Sequence, residues 1–465
     1  MTHRHVCLIA KAAALALSLS ACATMIPDYQ RPAAPIAATY PGTVPAQEPA
    51  GAASDIEWQN YFADERLKRL IDIALRNNRD LRVAVLNIQQ ARALYQVRRA
   101  DELPTVYIGA TGSRLPDTKG GTASIYTAGL SVTAYELDFF GRVRSLSAAA
   151  LAQYLGTEEA RNNVQIALIS AVANSYLNLL ADDELLAVTR STLLTREDSL
   201  KLTKLKFDVG AASELDYRQA ESLFEGARAA LALLTRQRAV DENALVLLLG
   251  QPMPDDLPKG LSIASQTQIS ELPVGVPSEV LARRPDVREA EQQLIAANAN
   301  IGAARAAFFP VISLTGSAGS ASSELSGLFK SGSAAWSFMP QLLLPIFDAG
   351  RNQANLDVAT VSREIALAQY EKAIQTAFRE VSDSLAGRAT LGEQVQAQQA
   401  QVNAEAARFR LADLRYRNGA SSYLDVLDAQ RSLFVAQLAL VQAQSQLVQN
   451  QVTLYKVLGG GWTPP

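Results

Sequence analysis

The sequence predicts a mainly α-helical fold that also contributes strands to a membrane β-barrel, with the order helix, strand, strand, long helix, helix occurring twice. Three observations carry this reading. Apolar residues recur every seven positions over long stretches without proline, four short runs alternate with period two, and the chain repeats itself at an offset of 206–209 residues.

The first 21 residues hold Arg4 and Lys11, no acid, and the run Ala12-Ala13-Ala14-Leu15-Ala16-Leu17-Ser18-Leu19, which is the pattern of a secretory signal peptide. It ends in Leu19-Ser20-Ala21-Cys22, similar to the bacterial lipoprotein box, where small residues admit the signal peptidase and the cysteine thiol receives the lipid. Cys22 is therefore expected to carry diacylglycerol and palmitate, and no other cofactor is expected. Residues 22–57, with Pro27, Pro32, Pro35, Pro41, Pro45 and Pro49, read as an extended Pro/Ala-rich tether. No run of 18 apolar residues follows the leader, so a membrane crossing would need β-strands.

The first repeat is placed at 58–249, with strands at about 104–113 and 125–138 and long helices at about 142–209 and 213–249. Pro104 opens Thr105-Val106-Tyr107-Ile108, and Tyr126, Ala128, Leu130, Val132 and Ala134 alternate with smaller or polar residues. In the helix that follows, Val172, Leu179, Leu186, Leu193, Leu200 and Phe207 keep a heptad spacing. At ~1.5 Å per residue that helix reaches roughly 100 Å, a length that suits spanning a periplasm. A Pro-rich connector at 250–277 leads to the second repeat at 278–465, with strands at about 310–319 and 335–346 and helices at about 350–417 and 421–458. Here Pro310 opens Val311-Ile312-Ser313-Leu314, and the heptad series Leu367, Ile374, Val381, Arg388, Val395, Val402, Phe409, Tyr416 has Arg388 as its one polar break. The last helix carries two adjacent seams, Leu427, Phe434, Val441, Val448, Tyr455 and Leu433, Leu440, Leu447, Leu454. Two seams mean neighbours on both sides, as in a closed cylinder of helices.

Self-alignment ties the halves together. Asp80, Arg82, Arg99 and Pro104 fall on Asp286, Arg288, Arg305 and Pro310, and Gly210-Ala211-Ala212-Ser213 falls on Gly419-Ala420-Ser421-Ser422. The two glycines stand where one helix ends and the next begins, the usual place for a left-handed cap. Four strands cannot close a barrel, since about eight is the bacterial minimum, and open edges are not tolerated in lipid. Several chains must share one barrel, and two, three or four copies all satisfy that demand.

Composition narrows function by exclusion. At 465 residues with 48% apolar and 19% charged residues, the chain folds, and removal of Arg4 and Lys11 leaves 41 basic against 46 acidic residues, a net charge of −5. Nucleic acid is not an expected partner. Both histidines, His3 and His5, lie in the leader, which rules out histidine-dependent catalysis and His-containing metal sites in the mature chain. Cys7 and Cys22 are the only cysteines, so the mature chain has one thiol and no disulfide. There is no phosphate-binding Gly-rich loop, and an enzyme is not expected.

Several long stretches carry a family resemblance: Met25-Ile26-Pro27-Asp28-Tyr29-Gln30-Arg31-Pro32, Tyr135-Glu136-Leu137-Asp138-Phe139-Phe140-Gly141-Arg142, Asn300-Ile301-Gly302-Ala303-Ala304-Arg305-Ala306-Ala307-Phe308-Phe309-Pro310 and Leu427-Asp428-Ala429-Gln430-Arg431-Ser432-Leu433. The chain resembles the outer membrane factors, the TolC-like family, in its OprM-type lipoprotein branch. That resemblance implies a homotrimer with a twelve-stranded β-barrel in the outer membrane and an α-helical barrel extending into the periplasm. It also implies a periplasmic adaptor (membrane fusion) protein and an inner-membrane pump of the resistance-nodulation-division (RND) class as partners. The implied function is the exit channel of a tripartite multidrug efflux pump, passively conducting drugs and other small toxic molecules. A type I secretion duct for polypeptides shares the architecture and is the alternative.

By similarity to the family, the periplasmic gate is assigned to Leu424, Asp425 and Asp428, and the links that lock it to Asp216, Tyr416 and Arg417. Asp425 and Asp428 lie three apart at a helix start and share one face. Acids in a first helical turn also complement the helix dipole or cap the helix, and Tyr416 also suits packing, so these roles stand beside the gate. Repeated around a narrow axis, the carboxylates would repel and raise one another's pKa values.

Overall fold

The computed structural model describes residues 24–41, 55–116, 120–267, 272 and 277–462; the leader and Cys22 lie outside them. The elements are α1 (Trp58–Tyr61), α2 (Glu65–Asn77), α3 (Arg79–Ala100), β1 (Val106–Pro116), β2 (Thr122–Glu136), α4 (Arg142–Asp208), α5 (Glu214–Leu249), a 3-10 turn (Ile263–Thr267), α6 (Pro277–Arg283), α7 (Pro285–Ala306), β3 (Val311–Ser322), a second 3-10 turn (Leu325–Gly327), β4 (Ala334–Leu343), α8 (Arg351–Arg417) and α9 (Tyr423–Val457). Thus α3-β1-β2-α4-α5 and α7-β3-β4-α8-α9 are the two copies of one plan, and α4 and α8 are each 67 residues long. The last strand stops at Leu343, short of residue 346, where its partner β3 begins and the ladder ends with the Val311–Leu343 pair.

Contacts divide the chain into two compact units. The first holds residues up to Ala33, Leu86–Glu158 and Glu289–Lys372, and is centred on an antiparallel sheet of order β1-β2-β3-β4. Its register separates two chemistries. Val106 and Ile108 pair with Val132 and Leu130, and through Gly316 and Ala318 reach Phe338 and Trp336, all on one face. On the other face Ser131, Ser317 and Ser337 form a row, the Ser317 and Ser337 hydroxyls meet at 2.7 Å, and those of Thr111 and Thr127 at 2.6 Å. Both faces are exposed: Ile108 is 84% and Trp336 80% accessible. Where the two repeats meet, Gly129 faces Gly319 so closely that any side chain at either position would run into the opposing backbone. Farther along, the register slips between Val132 and Tyr135; Ala134 takes φ 51° and its N–H donates to Thr315 Oγ1 at 3.0 Å, which is a β-bulge.

The tether reading of residues 22–57 needs correction over its described part. Residues 24–41 form no helix or strand, as their prolines dictate, yet they are docked rather than free. Asn298 Nδ2 donates to the Pro27 carbonyl at 2.7 Å, Arg31 holds the Glu291 carboxylate with two bonds of 2.6 and 2.8 Å, and Tyr29 donates to the same carboxylate at 3.1 Å. In the second unit Tyr40 is buried and stacks on Phe378 at 5.1 Å. Proline content removes regular structure, but it says nothing about where aromatic and Arg side chains find partners.

The second unit holds Ala34–Val85, Glu159–Arg288 and the chain from Ala373 onward, and contains the main core. Leu67, Leu70 and Ile71 of α2 pack with Val172, Tyr176 and Leu177 of α4, Leu245 and Leu249 of α5, and Val448 and Val452 of α9. Tyr61 and Tyr455 stack at 3.9 Å. Asp64 lies buried at the centre, where it caps α2 by accepting from the Arg66 and Leu67 N–H groups. Its carboxylate also accepts from the Tyr176 hydroxyl at 3.0 Å, the Leu261 N–H at 2.9 Å and Gln266 Nε2 at 2.5 Å. The connector is therefore not merely a link: its 3-10 turn is drawn into the core, with Ile263 buried. Arg284 is buried with Asp286 and Glu380 at 2.7 and 2.8 Å and caps the Val457 carbonyl.

The absence of an 18-residue apolar run also needs qualification. A window of α4 has mean hydropathy 1.5 with few charges, enough by length and composition to cross a membrane, but 56% of it is buried inside the protein. Asn174, Ser175 and Asn178 interrupt the apolar stretch while Val172, Tyr176 and Leu177 fill the core, so α4 is a core helix here. In α9 the seam of Leu427, Val441, Val448 and Tyr455 is buried by the chain itself apart from the half-buried Phe434, whereas in the second seam Leu454 is buried and Leu433, Leu440 and Leu447 are half-buried.

Candidate functional site at the helix hairpins

Two hairpins, α4 to α5 and α8 to α9, end the second unit. Each begins with a glycine in the left-handed region, Gly210 at φ 76° and Gly419 at φ 72°. The Gly210 and Ala211 N–H groups close on the Phe207 and Lys206 carbonyls at 2.9 and 2.7 Å, and Gly419 and Ala420 do the same on Tyr416 and Arg415 at 2.9 Å each. This is the Schellman stop, which needs a residue without Cβ strain at that point.

The following helix starts differ. In α5 the Ser213 hydroxyl accepts from the Asp216 N–H and the Asp216 carboxylate accepts from the Ser213 N–H, both at 3.2 Å, a complete capping box. Asp216 is thus committed to its own helix. Asp425 is its equivalent in α9, but Ser422 makes no side-chain cap there, and Asp425 is exposed with no partner among the described residues. Leu424 beside it is 54% accessible. Beneath them Ala220, Tyr423, Val426 and Leu427 form a small core with Leu200, Leu223 and Phe409.

Side-chain links join α9 and α4 to α8. The Lys206 ammonium donates to the Tyr416 hydroxyl at 2.7 Å and sits 4.5 Å from its ring centre, while that ring leans on Tyr423 at 5.0 Å. Asp428 accepts from Arg408 of α8 and from Arg431, three residues ahead on α9, at 2.5 Å. Arg408 also reaches Glu405 at 3.2 Å and the Ser432 hydroxyl at 3.3 Å. The hydrogen bond and charge of Arg408, with that of Arg431, hold the Asp428 carboxyl below the usual carboxylate range.

The residues expected from the sequence at this end of the chain have the following surroundings within one chain. Leu424, Asp425 and Asp428 do cluster within one turn. Within one chain Asp216, Tyr416 and Arg417 do not link to one another: Asp216 caps α5, and Arg417 pairs with Asp413 one turn back at 2.9 Å. Within one chain the Asp428 carboxyl is lowered, because the bonds and charges of Arg408 and Arg431 outweigh its desolvation, whereas the expected mutual rise concerns carboxylates of several copies around an axis. Lys206 and Arg408 were missed. A signal existed, since each stands next to a seam residue, Phe207 or Phe409, at the flank where coiled coils place interhelical ion pairs. Among the described residues no group of His, Cys, Asp and Glu could hold a metal ion.

The family model described as outer membrane efflux protein matches residues 70–251 and 276–460, one stretch in each repeat. Over 459 residues the chain is 51% identical to the solvent efflux pump outer membrane protein SrpC of Pseudomonas putida, covering 96% of this chain and 97% of that one. It is 49% identical over 460 residues to the antibiotic efflux pump outer membrane protein ArpC of Pseudomonas putida, covering 97% and 95%. Among solved structures, the open state of the Neisseria gonorrhoeae MtrE outer membrane channel superposes with a TM-score of 0.87 at 44% identity, over 94% of this chain and 98% of that one. Full-length matches of this kind, on a twice-repeated sheet and helix-hairpin plan, place the chain in the outer membrane efflux protein family, as an outer membrane channel and not an enzyme.

Proposed function

We propose that three copies of this chain close a twelve-stranded barrel in the outer membrane and a helical barrel in the periplasm, forming the exit duct of a tripartite efflux pump. The observation that carries the reading is the sheet: an apolar face, a Ser/Thr/Gly face, both exposed, and two unpaired edges at β1 and β4. Such a sheet is stable in lipid only when its edges are paired, with the apolar face outward and the hydroxyl face toward a water-filled lumen. The half-buried seam of α9 supplies helix surface for a neighbouring chain. A periplasmic adaptor and an inner-membrane RND pump would deliver substrate and energy, while the duct conducts passively. Relatives named for solvent and antibiotic efflux favour small apolar toxic molecules over exported polypeptides as cargo. Leu424, Asp425 and Asp428 would line the closed periplasmic end.

Deletion of the gene should sensitise cells to organic solvents and to chemically unrelated antibiotics, with restoration by the intact chain. The detergent-extracted protein should weigh three chains. Unchanged susceptibility together with intact polypeptide export through other ducts sinks the efflux reading, and a conducting monomer sinks the shared barrel.

The lipid anchor yields a separate expectation. Cys22→Ser should abolish metabolic palmitate labelling yet lower efflux only in part, because the barrel itself also holds the protein in the membrane. Labelling that persists in the variant refutes the anchor.

A further inference from the structure

We infer that the contact between α4 and α5 contains a proton-binding site, a carboxyl pair of Asp182 and Asp241 that shares one proton and thereby ties the two helices together. Asp182 is only 6% accessible, and its Oδ2 has no hydrogen-bond donor. Asp241 stands on α5 three residues beyond Arg238, whose guanidinium meets Asp183 of α4 at 2.6 Å, so this helix contact brings the Asp241 carboxyl against Asp182. Two ionised carboxylates in that arrangement would leave a buried acceptor unmet and a repulsion uncompensated. One proton turns an acceptor into a donor and cures both faults.

The surrounding charges do not offer another cure. Arg238 is the cation whose charge acts on Asp182, and it is engaged elsewhere, with Asp183 at 2.6 Å and Glu242 at 2.8 Å. Asp241 receives one neutral donor, Gln237 Nε2 at 3.1 Å. On the third side Ala181 and Leu185 pack with Leu234, Leu438 and Val441, and α9 carries no charged residue between Arg431 and Lys456. Asp182, Asp183, Asp241 and Glu242 therefore face a single guanidinium.

Burial first, then the bond to Asp241 and the charges of Asp241 and Asp183, push the Asp182 carboxyl up to about 7. The sign follows from linkage. The closed contact binds a proton that an opened, solvated Asp182 would release at its ordinary value of 3.8, so the contact is tightest in acid. It loosens as pH rises from about 4 to about 7, and is level above that. The site lies away from the hairpin residues and stands whether or not they form a gate.

The test uses the full-length protein in detergent. Infrared difference spectra should show the C=O stretch of a protonated carboxyl lost with a midpoint near pH 7, present in the unmodified chain and in the control Glu197→Gln, and absent from Asp182→Asn. Asp241→Asn, which removes the partner charge, should move the midpoint toward acid. Hydrogen-exchange protection of the segments around Asp182 and Asp241, corrected for intrinsic rates, should fall by up to about tenfold per pH unit across the window, and Asp182→Asn should flatten that slope. A carboxyl signal confined to pH below about 5, or one near pH 7 that survives both variants, overturns the proposal.

Discussion

Arg408→Ala combined with Tyr416→Phe should raise single-channel conductance in planar bilayers several-fold and admit a bulky antibiotic that the unmodified duct excludes. Arg408 is the node of the hairpin contacts: through it α8 reaches Asp428, Glu405 and Ser432 at once. Without it Asp428 keeps only Arg431, which lies on its own helix and holds nothing across the gap. Tyr416→Phe keeps the ring against Tyr423 but removes the hydroxyl that receives Lys206, so the second tie goes without loss of packing. A single exposed ion pair contributes little, but in the proposed trimer the links would act together in every copy around one axis. The charge on Asp428 adds a pH prediction. Its carboxyl is depressed, so the tie is present above the ordinary value of 3.8 and is lost as pH falls through the lower folded value; acid should mimic Arg408→Ala alone, leaving the Lys206–Tyr416 tie in place. Asp425→Ala, by contrast, should alter cation selectivity and leave conductance near its original level, because that carboxylate has no partner among the described residues. Unchanged conductance and uptake in the Arg408/Tyr416 double variant would move the gate elsewhere.

Asp64→Ala should destabilise the helical unit by at least about 4 kcal/mol, from the loss of an N-cap worth about 1 kcal/mol and the stranding of three buried donors at roughly 1–3 kcal/mol each. The stranded groups are the Tyr176 hydroxyl, the Leu261 N–H and Gln266 Nε2, which come from a long helix and the connector. Asp64→Asn tests the acceptor more finely: one amide oxygen still accepts, but the amide nitrogen now faces donors. It should sit between the two. Thermal unfolding of the detergent-solubilised protein, with hydrogen exchange in α2 as the local readout, measures both. An Asp64→Ala variant within about 1 kcal/mol of the parent would mean that water or a rearranged connector replaces the carboxylate.

What the sequence reveals of this molecule divides by whether it is periodic. Val172, Leu179 and Leu186 announce α4 because burial repeats with the helix, and Tyr126, Ala128, Leu130 and Val132 announce β2 because one face is apolar. Gly210 and Gly419 mark the hairpins because a left-handed stop admits little else. Pairings between single side chains leave no such trace. Lys206 with Tyr416, Arg408 with Asp428, and the five donors around Asp64 depend on rotamers and on chain segments far apart. The capping box shows the limit most clearly: Asp216 and Asp425 occupy equivalent places, and Ser213 and Ser422 share nearly the same backbone conformation, yet the side chains close one helix start and leave the other uncapped.

The seam between the repeats also sets a timetable. Gly129 must find Gly319 across 190 residues of intervening chain, and β2 has no other partner for that edge. At about 5–20 residues per second, a ribosome needs roughly 10–40 s to supply the missing stretch. Pairing at such sequence separation is slow even once both strands exist, because the loop must close before any contact rewards it. The first hairpin is thus born with a bare edge and kept waiting, and every neighbouring nascent chain offers the same β3 as a wrong answer. A shield over the open edge of β2 during that interval would favour pairing within the chain over pairing between chains.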